Sequence, residues 1–360
     1  MQELWSRRVA LFRRHPRAIA AGGSGLMAVA AGAIAGLLVL TSCSAPAKPG
    51  SPAAGVSPTG PLVSPFTGER VAHLDPVVVV KIDNIVNTRP QTGLGSADIV
   101  YVLPVEGGLS RFFVVFSSHF PAIIGPVRSA REDDLELLRQ FGTPAFAFSG
   151  ATPHLLPFVQ RARIVDAYAG LPALGSAYFR DSSRVAPYNL YAHSSALLER
   201  ARAGGASVPG DIGFRFGPVP PSASGTAVTS YSAGYSAASF TFRWSPSASK
   251  WLISMDGSPA MSTSGNPGGA ANPTGPLSQL GATTIIVQHT VVRTSRFLEY
   301  GKPPPYAQSV GHGTAVVLRG GKAFQVRWSR PSADSGTAYT LPNGQPMTFA
   351  PGQVWVLLVP

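Results

Sequence analysis

The sequence predicts an α+β fold: a mixed α/β N-terminal part followed by a mainly β C-terminal part. Three observations carry this. Short runs of β-branched and aromatic residues recur along the whole chain. Helical patterns are confined to residues before about 205. Gly (39) and Pro (34) are abundant while charged residues make up only 13%, a turn-rich composition that favours strands and loops over long charged helices. A chain of 360 residues is long enough to bury one large core or two ordinary ones.

The elements follow in order. V-V-V-V-K-I-D (77–83), D-I-V-Y-V-L-P-V (98–105) and R-F-F-V-V-F-S-S (111–118) read as strands. A helix is predicted from Arg131 to Phe141, because Ser129 and Glu132 have capping-box spacing and acids crowd the first turn. P-A-F-A-F-S-G (144–150) is a short buried strand, and T-P-H-L-L-P-F-V-Q-R-A a short helix with Pro153 near its start. An amphipathic helix is predicted over Asn189 to Ala203. Residues 217–239 are Gly, Pro, Ser, Ala and Thr with few charges, a loop or weak edge. Beyond it, S-F-T-F-R-W (239–244), K-W-L-I-S-M-D-G (250–257), T-T-I-I-V-Q-H-T-V-V-R-T (283–294) and the closing Q-V-W-V-L-L-V-P are strands. Gly320-Gly321 divides T-A-V-V-L-R-G-G-K-A-F-Q-V-R-W into a hairpin, and Leu341-Pro342-Asn343-Gly344 is a turn.

Five segments result: 1–43, a signal; 44–62, a tether; 63–215, an α/β part; 216–239, a low-complexity loop; and 240–360, a mainly β part. The signal is basic over residues 1–17 and uncharged from 18 to 40, then ends in L-T-S-C. The apolar run is long enough to span a bilayer, but its Ala and Gly content makes it weakly hydrophobic for a permanent span. The tetrapeptide resembles a bacterial lipobox. Cys43, the only cysteine, is then the lipidation site and the mature N-terminus, held on the extracytoplasmic face of the cell membrane. S-R-R-V-A-L (6–11) partly resembles a twin-arginine export signal, but Ala10 stands where Phe is usual. The Pro/Gly/Ser/Ala stretch 44–62 has almost no large apolar group and reads as a disordered tether.

The formal charge is +12, yet five arginines and one acid lie in the first 43 residues, leaving 24 basic against 16 acidic residues beyond them. The remainder is dispersed, so no nucleic-acid partner is expected. G-x-S-x-G and H-E-x-x-H are absent, no two histidines have i,i+3 or i,i+4 spacing, and no thiol exists beyond Cys43. No metal site and no cofactor is expected. Ser247 and Lys250 form S-x-x-K inside a turn between strands, not a serine-enzyme site.

One constellation stands apart. Glu106 and Arg111 flank a turn between two strands, and Arg128 and Arg131 stand at a predicted helix start. The helix dipole disfavours cations there by roughly 0.3–1 kcal/mol each. Two readings follow. Either neighbouring carboxylates (Glu106, Glu132, Asp133 or Asp134) pair them, or they form an anion site for a carboxylate or phosphate.

The segments K-I-D-N-I-V-N-T-R-P-Q-T-G-L-G-S-A-D-I-V-Y, V-E-G-G-L-S-R-F, G-P-V-R-S-A-R and R-V-A-P-Y-N-L-Y resemble the YerB-like lipoproteins of bacteria, a family without an assigned biochemical function. T-I-I-V-Q, W-S-R-P-S-A-D and L-P-N-G-Q-P-M-T-F-A-P-G-Q-V-W-V-L-L-V-P extend the resemblance through the second half. It implies a two-part α+β fold and an envelope address. The family's polar signature falls on Asp83, Asn84, Arg89, Gln91, Glu106, Arg111, Arg128, Arg131, Arg184 and Asn189. Where the family typically reads A-P-H-N, this chain has Ala186-Pro187-Tyr188-Asn189, a departure that speaks against acid–base chemistry at that position.

The expected function is a tethered extracytoplasmic protein that binds an anionic envelope ligand, a wall fragment or a partner protein. Arg128 and Arg131 hold the anion, Glu106 and Asp83 orient them, and Asn84 and Asn189 supply neutral hydrogen bonds. The alternatives are a cell-wall hydrolase using Glu106 and Asp83 as its carboxylate pair, and an envelope scaffold with no small-molecule site.

Overall fold

The computed structural model describes residues 61–265 and 275–360; the predicted signal, Cys43 and the tether up to residue 60 lie outside them. In chain order the elements used below are β1 (Val78–Asp83), β2 (Ile99–Pro104), β3 (Ser110–Phe116), α1 (Glu132–Leu138), β4 (Ala145–Phe148), α2 (Leu156–Gln160), β5 (Val165–Tyr168), β6 (Leu190–His193) and α3 (Ser194–Ala203). They continue with β7 (Ser230–Tyr235), β8 (Ala238–Ser245), β9 (Lys250–Met255), β10 (Thr284–His289), β11 (Val292–Thr294), β12 (Pro305–Ala307), β13 (Gly311–Arg319), β14 (Lys322–Arg330) and β15 (Val354–Val359).

The fold is α+β, strand-dominated, and organised around one 11-stranded mixed sheet in which β14, β13, β10, β15, β2, β3, β1, β4 and β5 are neighbours in that order. Both sequence halves supply it. The C-terminal β15 lies parallel between β10 and β2, pairing Trp355 with Val100 and with Ile285. This explains why Q-V-W-V-L-L-V and V-V-V-V are unbroken apolar runs: a central strand covered on both faces needs no polar alternation. Val78, Val80 and Ile82 join one core with Phe240, Phe242, Trp251 and Leu197, while Val77 and Val79 join another with Leu137, Leu138 and Phe141. Two layers therefore sandwich the sheet. One is formed by α3 and the β7–β8–β9 sheet, the other by α1 and its surroundings.

The hairpin predicted at Gly320-Gly321 forms, with both glycines at positive φ (55° and 73°), as a two-residue primed turn requires. The turn at Leu341–Gly344 closes with the Gly344 N–H donating to the Leu341 carbonyl at 2.9 Å. Two expectations are corrected. Residues 190–193 are a strand, β6, paired with Ile123–Ile124 and with Tyr178–Arg180, and the helix begins only at Ser194. Tertiary pairing overrides the apolar period there. The 131–141 helix is shorter than predicted, seven α-helical residues followed by one 3₁₀ turn at Arg139–Phe141. Residues 230–235, within the stretch read as a loop or weak edge, are an edge: they form β7 at the margin of the sheet with β8. Among the described residues no helix is long and apolar enough to cross a membrane.

The pairing directions fix where a site can lie. β3 is antiparallel to both β1 and β2, β4 and β5 are parallel to β1, and β15 and β10 are parallel to β2. The carboxyl ends of β1, β2, β4, β5, β10 and β15 thus share one edge. In open α/β sheets, ligands bind beyond that edge.

Candidate functional site

The polar residues singled out from the sequence gather at this edge. Asp83 is the last residue of β1 and pairs in register with Arg111 of β3, so both side chains lie on the α1 face of the sheet. Asp83 is 1% exposed; its Oδ2 accepts from Arg128 Nε at 2.7 Å, and its Oδ1 lies 3.8 Å from Arg111 Nε. Arg128 is brought in by a bridge to β1, its N–H donating to the Lys81 carbonyl at 2.8 Å.

Arg131 takes a different set of partners. It is the residue preceding α1, and its own N–H donates to Asp134 Oδ2 at 2.7 Å, closing the helix start. Its guanidinium grips Glu106 with two hydrogen bonds, 2.6 and 3.0 Å, donates to the Ala130 carbonyl at 2.9 Å, and meets Glu299 at 3.3 Å. Burial would raise the Glu106 carboxyl, but the Arg131 hydrogen bonds and charge outweigh it and hold the group below the usual carboxylate range. Arg131 is correspondingly raised by Glu106 and Glu299 against its own burial. The pairing reading therefore holds for Arg131. The partners of its guanidinium are Glu106 and the distant Glu299; of the α1 acids only Asp134 bonds Arg131, and through its backbone N–H.

Those acids anchor other parts of the fold. Asp134 pairs with Lys81, both fully buried, at 2.6 Å. Glu132 accepts from Ser295 Oγ (2.6 Å), Arg296 N (2.8 Å) and Arg296 Nε (2.6 Å). Glu136 accepts from Tyr306, Ser309 and Val310. Together they clamp the β11–β12 hairpin of the C-terminal half onto α1.

Arg111 is left under-bonded. Its Nε is buried without a hydrogen-bond partner, and its Nη1 reaches only the Ser129 carbonyl at 3.4 Å. Burial first and the neighbouring Arg131 charge second pull its guanidinium down to about 10, against the opposing pull of Asp83 and Glu106. Arg128 uses only Nε; its side chain is 20% exposed and its guanidinium carbon lies 5.4 Å from the centre of the Tyr188 ring.

The remaining predicted residues build the frame. Asn84 donates to Ser110 Oγ at 2.9 Å and accepts from Arg89 Nε and Gln91 Nε2 at 3.3 and 3.1 Å. Arg89 also pairs with Asp256 of the C-terminal half at 2.8 Å. Asn189 accepts from Arg180 at 2.7 Å and donates to the Asp181 and Arg184 carbonyls at 3.2 and 3.1 Å. Arg184 ties the same loop to the Thr88 and Pro90 carbonyls at 2.8 and 2.9 Å. Asn84 and Asn189, expected to face a ligand, are occupied within the protein, and Arg184 and Asn189 set the loop that holds Tyr188 over Arg128.

Ser149 N–H donates to the Arg128 carbonyl at 3.0 Å, and Ser149 lines an open cavity of about 450 Å³ with Arg180, Tyr178 and Phe179. None of the cluster's own side chains lines this cavity. Sequence reasoning missed Glu299 and the stacking of Tyr188. The only local sign of Glu299 is Y-G in F-L-E-Y-G-K, whose Tyr300 and Gly301 both have positive φ (48° and 76°) at the tip of the β11–β12 hairpin. Among the described residues no group of three or more His, Cys, Asp or Glu could hold a metal.

Fold and site together define a strand-rich α+β protein with an arginine–carboxylate cluster at the carboxyl edge of its central sheet. The chain matches the models of the N-terminal domain of a protein of unknown function (DUF3048) over residues 65–207 and of the C-terminal domain of the same family over residues 229–356. It belongs to this YerB-like family. It is 36% identical over 131 residues to "Putative lipoprotein YerB" of Bacillus subtilis (strain 168), a stretch covering 36% of this chain and 39% of that protein. The crystal structure of YerB protein from Bacillus subtilis superposes with a TM-score of 0.65 at 21% identity, covering 83% of this chain and 97% of that one. This last likeness establishes a shared fold.

Proposed function

We propose that this chain is a lipoprotein tethered through Cys43 to the extracytoplasmic face of the membrane, binding an anionic group of an envelope ligand at Arg128 and Arg111. One observation carries the binding part: two adjacent guanidiniums beside Asp83 keep unused donors, one on a side chain that is 20% exposed and the other with a buried, unpartnered Nε. A buried donor without a partner costs about 1–3 kcal/mol, which a bound carboxylate or phosphate would recover. Arg131 serves as support, orienting Glu106, and Tyr188 forms a wall against which the ligand packs.

The anchoring part rests on L-T-S-C at residues 40–43 and on the lipoprotein name of the Bacillus relative. Cys43→Ser is expected to release the protein from the membrane fraction; retention would contradict the anchor. The hydrolase alternative fares less well. It needs two carboxyls within reach of a substrate, one of them protonated at working pH, while Arg131 holds Glu106 ionised and Asp83, 1% exposed, is closed off from a substrate.

The binding test is calorimetric titration with a stem-peptide fragment carrying a free C-terminal carboxylate. Wild type is expected to bind and Arg128→Ala to lose at least tenfold in affinity. Equal heats for both would remove the anion site and leave the scaffold reading.

A further inference from the structure

A second groove lies apart from the Asp83 cluster, between α1, α2 and the β11–β12 hairpin. It comprises two cavities of about 460 and 290 Å³ that share Glu132, Glu136, Arg296 and Tyr306, and so run into one another. Arg139, Arg163, Arg293 and Arg296 line it.

The groove's lining carries four arginines against two glutamates. All four oxygens of Glu132 and Glu136 are engaged by the hairpin: Glu132 by Ser295 and Arg296, Glu136 by Tyr306, Ser309 and Val310. Each is already held by the hairpin, though Glu132 Oε1 and Glu136 Oε2 take only one hydrogen bond apiece. The arginines differ. Arg293 is exposed and makes no ion pair among the described residues. Arg296 is 75% exposed at its side chain and bonds Glu132 only through its backbone and Nε. Arg139 and Arg163 share a single carboxylate, Asp334. Four guanidiniums thus face three carboxylates, all of them already paired within the protein, which leaves the cations in excess. An apolar wall runs beside them, where Phe158, 48% exposed, packs edge-on against Phe297 with ring centres 5.1 Å apart.

We propose that this groove binds an extended chain of repeating anionic groups, phosphate or carboxylate, which passes along the four arginines with its uncharged spacers against Phe158 and Leu135. A single small anion would leave most of the two linked cavities empty. A chain fills both and meets the arginines in succession. The inference stands apart from the Arg128 site and shares no residue with it.

The test uses the full-length chain in detergent with fluorescently labelled poly(glycerol phosphate) in one arm, poly-glutamate in a second and neutral dextran as control, read by anisotropy across salt concentrations. Wild type is expected to bind one or both polyanions saturably and not dextran, with affinity falling as salt rises. R163Q/R293Q, on exposed side chains, is expected to weaken binding at least tenfold and to flatten the salt dependence, with an unchanged melting temperature. Arg128→Ala is expected to bind the polyanion as wild type does. Which polymer binds tells phosphate from carboxylate chemistry. Three results would overturn the proposal: no saturable binding of either polyanion, binding unaffected by R163Q/R293Q, or binding lost in Arg128→Ala.

Discussion

Arg131 and Arg128 stand three residues apart in the same loop and meet opposite fates. Arg131 is 4% exposed and spends its donors on Glu106, Glu299 and the Ala130 carbonyl. Arg128 spends one nitrogen on Asp83 and keeps its remaining edge beside Tyr188 and solvent. Placement accounts for the difference. Arg131 points beneath a hairpin arriving from the other half of the chain, whereas Arg128 lies on the strand-edge bridge to β1, where no element covers it fully. Identical side chains in one motif therefore divide into a structural fastener and an available cation.

The strongest way to break this comparison is at the most closed pair. Lys81→Met leaves Asp134 as an uncompensated charge in a fully buried site, and a loss of about 3–5 kcal/mol in denaturant unfolding is expected. The double replacement Lys81→Met with Asp134→Asn, which removes the charge but keeps an acceptor for the Arg131 N–H, should recover most of it. A double variant as unstable as the single one would show that the pair does more than neutralise itself.

Next in size is a carboxyl with no cation. Burial raises Asp98 from 3.8 to about 7, against hydrogen bonds from Ser118. The unfolded chain gives up this proton near pH 4 while the folded chain keeps it to about 7. Stability linked to Asp98 is therefore fully present below pH 4 and lost as pH rises through 7, by up to about 4 kcal/mol. Asp133, likewise raised to about 7 by burial and by Asp134, adds the same sign. Glu106 and Glu132, held low, act oppositely and lose their contribution as pH falls below the usual glutamate range. Asp98→Asn is expected to flatten the decline between pH 4 and 7; an unchanged pH profile of urea midpoints would refute the assignment.

Arg131→Ala comes third. It strands Glu106 and Glu299 together, and a loss of roughly 2–3 kcal/mol is expected, checked by thermal and urea unfolding. Smallest is Tyr188→Ala, which removes the ring beside Arg128 at a cost of about 0.5–1 kcal/mol. Its Tyr188→Phe counterpart should behave as wild type, since the ring rather than the hydroxyl meets Arg128.

Much of this was legible in the sequence, for identifiable reasons. Strands such as V-V-V-V-K-I-D and the Gly320-Gly321 hairpin are set by local residue type. The gathering of Asp83, Glu106, Arg111, Arg128 and Arg131 followed from their places at strand ends and at a helix start. The division of labour among them could not be read, because it depends on Glu299, 168 positions beyond Arg131 and brought there by the hairpin that Glu132 and Glu136 clamp. For the same reason, Lys81 looked like an ordinary strand residue, and the acids of α1 like partners for the arginines beside them. Residues 190–193 carry an apolar pattern that suits helix or strand, and only pairing with residues 123–124 and 178–180 decides.

The central claim, that Arg131 fastens and Arg128 binds, is tested most directly by measuring stability and ligand affinity on the same two variants. Arg131→Ala should unfold at clearly lower urea concentration, while Arg128→Ala combined with Asp83→Asn, which leaves no buried carboxylate stranded, should unfold closer to wild type yet lose at least tenfold in affinity for the carboxylate-bearing wall peptide. A stable Arg131→Ala, or a combined variant that keeps its affinity, would contradict the account.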